Sequence, residues 1–431
     1  MGLATLLAIG AGTAWFVSQS GEPTTPTPPQ AKESAKTPER PVSQWQVPLI
    51  GAGGFDFTSG MGFATWLTDT TIIRVQKDGV LAYDLATGKR AWGTPSPGEQ
   101  LCGATPDAHE GIAAIAYGDA GACDRLAGID TATGKITWQQ EIQAEQSTTS
   151  DTIQTPLIVS TDGLAILQIG DKVHAHNLTD GTVRWTATAP KNCSVRDTNA
   201  APGRVVMLAH CVYPYTKDRV LVLDPETGKM TRKHPSRRIY SGTIASVNPI
   251  VTQIEDAYGT HFTRYDDSGK ASEITVGKID LLPLNDLITI RGMRLHYRVA
   301  VHGDRLYLAT WPKKVPDSFR SRNNVLAYDF ETGRRVWESS GNRPSRLAYI
   351  RADDSGLLAL EVGDHRDLAP RLIRVDAKTG KAKGLGDLPL EFGLEAERAK
   401  VYEQNGAVII VPWSSITADN AISYYKLPKT N

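Results

Sequence analysis

The 431-residue chain has no excess of charge of either sign, few cysteines and little 3.6-residue periodicity between its turns. Lys plus Arg number 47 and Asp plus Glu number 47. A whole-surface attraction to nucleic acid or to an anionic membrane is therefore not expected, and any attraction of that kind has to be local. Only four cysteines occur, none in Cys-x-x-Cys spacing, which excludes a haem-attachment motif and the common zinc-binding patterns. There is no Walker loop, no Gly-x-Ser-x-Gly elbow and no zincin helix. No catalytic residue and no metal site is legible on these grounds. The scarcity of helical periodicity argues against a helical solenoid.

What is present begins with two N-terminal segments that lie outside any fold. Residues Gly2 to Val17 carry no charge. As a helix they would span about 24 Å, slightly short of a bilayer core of roughly 30 Å. Residues 1–18 therefore read as a transmembrane anchor or a signal-like segment. The absence of Lys or Arg before the apolar run and the weak small-residue cleavage pattern favour the anchor. A true start upstream would explain the missing basic flank. No Cys follows the run before Cys102, which argues against a lipid-modified anchor. Residues 19–42 are rich in Pro and Thr, with Pro23, Pro26, Pro28, Pro29, Pro38 and Pro41. Such a stretch cannot bury enough apolar surface to offset its ordering entropy, and it reads as a disordered stalk. The expected location is the cell membrane, single-pass, with residues 43–431 on the extracytoplasmic side.

An internal repeat decides the fold. It is visible in VLAYDLATGKRAW (80–92), LAGIDTATGKITW (126–138), VHAHNLTDGTVRW (173–185), VLVLDPETGKMTR (220–232), NVLAYDFETGRRVW (324–337) and LIRVDAKTGKAKG (372–384), with a degenerate copy at 262–274. In each, an apolar run predicts a buried strand. Asp84, Asp130, Asp224, Asp329 and Asp376 close the run, because their side chains accept hydrogen bonds from the following turn. Four residues on, Gly88, Gly134, Gly181, Gly228, Gly333 and Gly380 supply the positive φ of a hairpin with a bulge. Trp92, Trp138, Trp185 and Trp337 follow four residues after their glycines on the next strand. With Gly269 included, the glycines recur at intervals of 46, 47, 47, 41, 64 and 47 residues. A period near 47 accommodates four short strands and their turns, which is one propeller blade.

Seven motifs are seen, yet the chain continues. GAVIIVPW (406–413) and AISYYKL (421–427) read as the two inner-to-middle strands of one more blade, completed by SQWQVPL (43–49), with Trp45 standing in for a repeat Trp. Pairing both chain ends in one blade closes the ring and removes open edges. The expected fold is an all-β, eight-bladed propeller of four-stranded blades, with seven blades as the alternative. Seven would leave about fifty residues without a place.

The Asp-x-x-Thr-Gly-x-x-x-Trp turn resembles the repeat of the pyrroloquinoline-quinone-type (PQQ-like) propeller family over residues 45–430. That family includes quinoprotein dehydrogenases, which hold a central calcium-bound quinone usually covered by a disulfide between adjacent cysteines. It also includes non-enzymatic members similar to the lipoprotein of the outer-membrane β-barrel assembly machinery. No adjacent Cys pair and no matching catalytic carboxylate exist here, so the resemblance points to the non-enzymatic branch. No cofactor is expected, with pyrroloquinoline quinone plus calcium as the alternative.

Cys102 and Cys123 fall within one repeat, as do Cys193 and Cys211, and this placement predicts disulfides Cys102–Cys123 and Cys193–Cys211 in an oxidising compartment. Four unpaired core thiols are the alternative. His174 and His176 alternate on one strand and could ligate a metal, but two such histidines more often simply cover a sheet face. The turns at Asp266 to Gly269 and Asp353 to Gly356 read as hairpin turns, not calcium loops. Two basic clusters stand out locally. One comprises Arg232, Lys233, His234, Arg237 and Arg238; the other comprises Arg291, Arg294, His296 and Arg298, followed by Lys313, Lys314, Arg320 and Arg322. The long interval before Gly333 signals an insertion, part of it at 312–324, and these cations are candidate anion-binding residues. A solvated face with local salt bridges is the alternative. The expected function is a membrane-tethered binding or scaffold propeller, its ligand a protein or an anionic cell-envelope polymer. The alternatives are a quinone-dependent dehydrogenase and the sensor domain of a surface signalling system.

Overall fold

The computed structural model describes residues 43–49, 62–119, 123–142, 156–212, 218–237, 241–256, 258–276, 299–364, 366–396, 399–412 and 419–427. Within residues 41–431 the strands form eight four-stranded antiparallel sheets arranged as the blades of a propeller. Blades one to seven run through residues 62–95, 100–141, 157–188, 193–235, 241–276, 299–339 and 347–387 in chain order. Each is built as an up-and-down meander, from an inner strand at the channel to an outer strand at the rim.

The eighth blade joins the two ends of the described chain. Its strands are Ala399–Gln404, Ala407–Pro412 and Asn420–Lys426, and the outer position is taken by Trp45–Pro48. Trp45 pairs with Tyr424 across the ladder, and their rings stack with centroids 4.8 Å apart. The ring closure expected from SQWQVPL is thus observed. One detail differs: the segments at 406–413 and 421–427 supply the second and third strands, and the innermost strand is Ala399–Gln404. Its alternation of buried and open residues runs only from Ala399 to Val401, and it is too polar at Lys400, Glu403 and Gln404 to read as a strand by itself.

Blade interiors are aliphatic and closed, as sheet-on-sheet packing at about 10 Å requires. Clusters cross from blade to blade: Val173, Ala175 and Trp185 of the third pack with Val195, Val205 and Met207 of the fourth. The closure has its own polar anchor. Arg74, fully buried in blade one, donates from Nη1 to the carbonyl oxygens of Pro412 (2.7 Å) and Ala421 (2.9 Å) in blade eight. Burial lowers its guanidinium to about 10.

Both expected disulfides are formed. Cys102 on the inner strand of blade two joins Cys123 before its third strand, and Cys193 joins Cys211 directly across the first two strands of blade four. The single-pass membrane location is corrected. Crossing a bilayer by helix takes about 20 apolar residues. Among the described residues no helix is long and apolar enough to do so, and the α-helix Phe392–Glu395 has four residues. Residues 1–18 and 19–42, read as anchor and stalk, lie outside the described residues.

Candidate functional site

The repeat motif is spent on holding the ring together. In the first blade the Asp84 carboxylate accepts hydrogen bonds from Thr87 N (2.8 Å) and Thr87 Oγ1 (2.7 Å), and Gly88 N donates to Asp84 O (2.8 Å). Asp130 with Thr133, Asp224 with Thr227, Asp329 with Thr332 and Asp376 with Thr379 repeat the arrangement. The Thr hydroxyl, followed by the backbone N–H, holds Asp84, Asp130, Asp224 and Asp376 below the usual carboxylate range. The Thr thus shares the work of the Asp, Gly and Trp, and its recurrence before the glycine in five copies is the sequence signal for it.

The glycine has a second duty besides its positive φ. Each repeat Trp lies flat on the turn glycine of the following blade. A Cβ on Gly228 would stand 2.5 Å from the Trp185 ring, and one on Gly134 would stand 2.4 Å from Trp92. Gly181 faces Trp138 in the same way, Gly380 faces Trp337, and Gly88 faces Trp45. Four of these indoles also donate to a carbonyl in that next turn: Trp45 to Leu85 (3.0 Å), Trp138 to Leu178 (2.7 Å), Trp185 to Pro225 (2.7 Å) and Trp337 to Ala377 (2.9 Å). These residues are engaged within their own turns and between neighbouring blades.

The central channel holds a cavity of about 460 Å³, walled by the inner strands of blades one to five and by blade eight. Its polar lining includes Thr65, Asp107, Ser160, Asn199, Ser246 and Lys400. The Lys400 ammonium sits 4.9 Å from the Tyr402 ring centroid. Lys400 is exposed to the channel; desolvation by the surrounding walls would lower its pKa, but Tyr402 and then Asp107 outweigh it and raise it. A calcium-bound quinone would sit in such a channel if the dehydrogenase resemblance held. Calcium takes about six to eight oxygen ligands, carboxylates prominent among them. The cavity offers Asp107 as its carboxylate and faces it with a lysine. Among the described residues no three His, Cys, Asp or Glu side chains are grouped to hold a metal. The two disulfides staple single blades and do not present adjacent cysteines. The lining does not fit that cofactor, and no chemistry is derived through it.

His174 and His176 are both buried in blade three. His174 Nδ1 lies 3.1 Å from Thr186 Oγ1, and His176 Nδ1 lies 3.1 Å from the Gly181 carbonyl. Asp266 and Asp353 cap their own turns through Ser268 and Ser355. The first basic cluster is drawn into ion pairs. Arg232 meets Asp267, and Arg237 meets both Asp256 (3.2 Å) and Glu273 (3.0 Å). Lys233 lies on the exposed outer strand of blade four beside them. Arg238, Arg291, Arg294, His296 and Arg298 lie outside the described residues. The insertion read at 312–324 is a two-stranded hairpin, Lys313–Lys314 with Ser321–Arg322, standing apart from the four-stranded sheet of blade six.

The fold is shared with solved structures of low sequence identity. BamB from Moraxella catarrhalis superposes with a TM-score of 0.50 at 12% identity, over 90% of this chain and 100% of that one. Quinohemoprotein alcohol dehydrogenase from Comamonas testosteroni superposes with a TM-score of 0.55 at 13% identity, over 90% of this chain and 78% of that one. No curated protein matches the sequence. The family model described as outer membrane protein assembly factor BamB matches residues 38–270, more than half of the chain, and the chain belongs to that family of PQQ-like repeat propellers.

Proposed function

We propose that this propeller is a binding scaffold for protein partners in an oxidising, extracytoplasmic compartment. The observation that carries the reading is membership, over residues 38–270, of a family described by an outer-membrane protein assembly factor. The disulfides Cys102–Cys123 and Cys193–Cys211 support the compartment, since such bonds persist where thiols are not kept reduced. The architecture supports the role. Packing and turn bonds use the repeat residues, so the loops and the inserted hairpin remain as variable surface on a rigid ring.

The test is chemical cross-linking of the full chain in its native cells, followed by identification of the cross-linked species. A defined protein partner recovered in constant proportion supports the scaffold reading. Recovery of the uncrosslinked chain alone, across several reagents and growth conditions, overturns it. A melting curve with saturating pyrroloquinoline quinone and calcium checks the competing dehydrogenase reading. A cofactor at 100 times its dissociation constant would add about 2.7 kcal/mol of stability, and no shift is expected.

A further inference from the structure

We propose that the inserted hairpin of blade six is a docking site for an acidic, extended segment of a partner protein. The proposal rests on the scaffold reading and names the place where a partner would bind.

The hairpin is not needed to complete its blade. Blade six has its four strands at Val299–His302, Arg305–Ala309, Val325–Asp329 and Arg335–Ser339, and the hairpin is inserted between the second and third. It is nevertheless held firmly. Val315 N donates to Arg320 O (2.9 Å) across its turn, and Thr310 and Asn324 bond to each other at its base. Arg320 ties it to blade seven by donating from Nε to Asp364 (2.7 Å) and from Nη2 to Asp367. Burial opposes the ionised form of Asp364, but the Asp367 backbone N–H and then Arg320 outweigh it and hold the carboxyl well below its usual range. A segment that adds no strand to the blade and yet is pinned in one geometry is preorganised.

Three of its four cations have no ion pair among the described residues. Lys313 and Arg322 are direct cross-strand partners, an arrangement in which like charges destabilise the pair. Lys314 adjoins them, and all three are exposed. Among the described residues Lys313, Lys314 and Arg322 form no ion pair, in contrast to Arg232, Arg237, Arg264 and Arg320. They border a cavity of about 300 Å³ that also includes Val315, Pro316 and Leu326. The carboxylate in that cavity, Glu338, is already engaged by Arg335 (2.8 Å) and by Asn324. An anionic group entering would relieve the Lys313–Arg322 repulsion without having to displace an internal carboxylate.

The apolar surface beside the charge favours a polypeptide. Trp311 is 46% exposed at the base of the hairpin and Phe319 is 58% exposed at its tip. Exposed aromatics next to cations match the composition of protein interfaces, where aromatic residues and Arg are enriched. A segment carrying Asp or Glu interspersed with apolar side chains would meet both features. The hairpin also lies outside residues 38–270, the part matched by the family model.

The test measures binding of a fluorescein-labelled peptide of alternating Glu and Leu to the full chain by fluorescence anisotropy at low salt. A Gln-for-Glu peptide and a polygalacturonate oligosaccharide serve as comparisons. The full chain should bind the Glu peptide and bind the Gln peptide at least tenfold more weakly. Lys313→Glu/Arg322→Glu should weaken Glu-peptide binding at least tenfold with its melting temperature unchanged. Trp311→Ala should weaken it severalfold. Equal binding by the charge-reversed chain overturns the site. Tighter binding of the oligosaccharide at matched charge overturns the polypeptide as occupant. Cross-linking in cells separates this proposal from the reading beneath it. If wild type and the charge-reversed chain retain the same partner in equal yield, the hairpin is not the docking site and the scaffold reading stands. If neither retains one, the scaffold reading itself fails.

Discussion

Two kinds of junction hold the blades of this ring side by side. Between blades eight and one, one and two, two and three, three and four, and six and seven, an indole lies flat on a glycine turn. Between blades four and five the Trp position is Arg232, which pairs with Asp267. Between five and six it is Glu273, and Arg264 reaches across to Asp304. Between seven and eight it is Gly384, and Arg351 bridges to Glu403 (2.6 Å). The first kind shelters the indole: Trp185 is 8% exposed, Trp337 is buried as well, and Trp45, Trp92 and Trp138 are half-buried. The second is wet, with side-chain exposures of 40% for Arg232 and 68% for Asp267. Burying an indole contributes far more than a screened surface ion pair, whose worth is about 0–1 kcal/mol. Blades four to six should therefore be the part of the ring that opens first. Blade five has its own compensation in the buried His261, which lies between Asp256 (3.0 Å) and Glu273 (3.3 Å), while Arg237 reaches both carboxylates from blade four.

The largest expected effect breaks a docked junction. Trp185→Ala should cost about 3–5 kcal/mol in urea unfolding of the full chain, as for other buried aromatic truncations. A loss under about 1 kcal/mol, the value of a surface ion pair, would show that the two kinds of junction are equivalent.

A pair of glycine substitutions sharpens the comparison. Gly228 and Gly333 both have φ of +66°, so Ala at either position carries the same backbone strain. At Gly228 the new Cβ also meets Trp185 at 2.5 Å, whereas at Gly333 the nearest atom, the Glu273 carbonyl oxygen, is 3.5 Å away. Gly228→Ala should be more destabilising than Gly333→Ala by about 1–3 kcal/mol, the usual cost of overpacking. Equal losses in parallel denaturation curves would mean that only the turn conformation matters.

Arg232→Ala should cost less than about 1 kcal/mol, and the difference from wild type should shrink as salt rises from low to 1 M, where the Debye length falls to about 3 Å. A salt-independent loss would mean that the guanidinium stem, not its charge, seals the junction.

The smallest effect is confined to acid and concerns Asp353, which lies 3.7 Å from Arg351 of the junction between blades seven and eight. Burial opposes the ionised form of Asp353, but the Ser355 hydroxyl and Arg374 outweigh it and lower its pKa to about 2. A carboxyl with a depressed folded pKa stabilises above its unfolded value near 3.8 and loses that contribution as pH falls through about 2. The stability gap between wild type and Asp353→Asn should therefore be constant above about pH 4 and should close between pH 4 and 2. Direct titration of this carboxyl by NMR gives the independent check, and a midpoint near 3.8 would remove the basis for the effect.

Much of this was legible because the repeat is written in local chemistry. An Asp that caps its own turn and a Gly at positive φ need only the residues between them, so the motif marks each hairpin wherever it occurs. The period then fixed the blade count, and Trp45 marked the closing strand. The disulfides were legible because each joins strands of a single blade. The contacts between blades were not legible. Trp185 meets Gly228 and Pro225 about forty residues away, and nothing near Trp185 in the chain says whether its indole turns inward or toward the next blade. Arg232 and Arg237 read as an open basic cluster because their carboxylates, Asp267 and Glu273, come from the following repeat. The channel around Lys400 assembles residues from six blades and leaves no local pattern at all.

The sequence by itself determined the unit and its number: a four-stranded blade of about 47 residues, repeated until the two ends shared the eighth. Strand periodicity and turn chemistry act over a few residues, and the alternation of apolar and polar positions records them directly. Only the tertiary structure decided which cations are neutralised and which, at Lys313, Lys314 and Arg322, are left facing solvent. Charge pairing and cavity shape depend on distances of a few ångströms between residues tens of positions apart, and those distances exist only once the ring has closed.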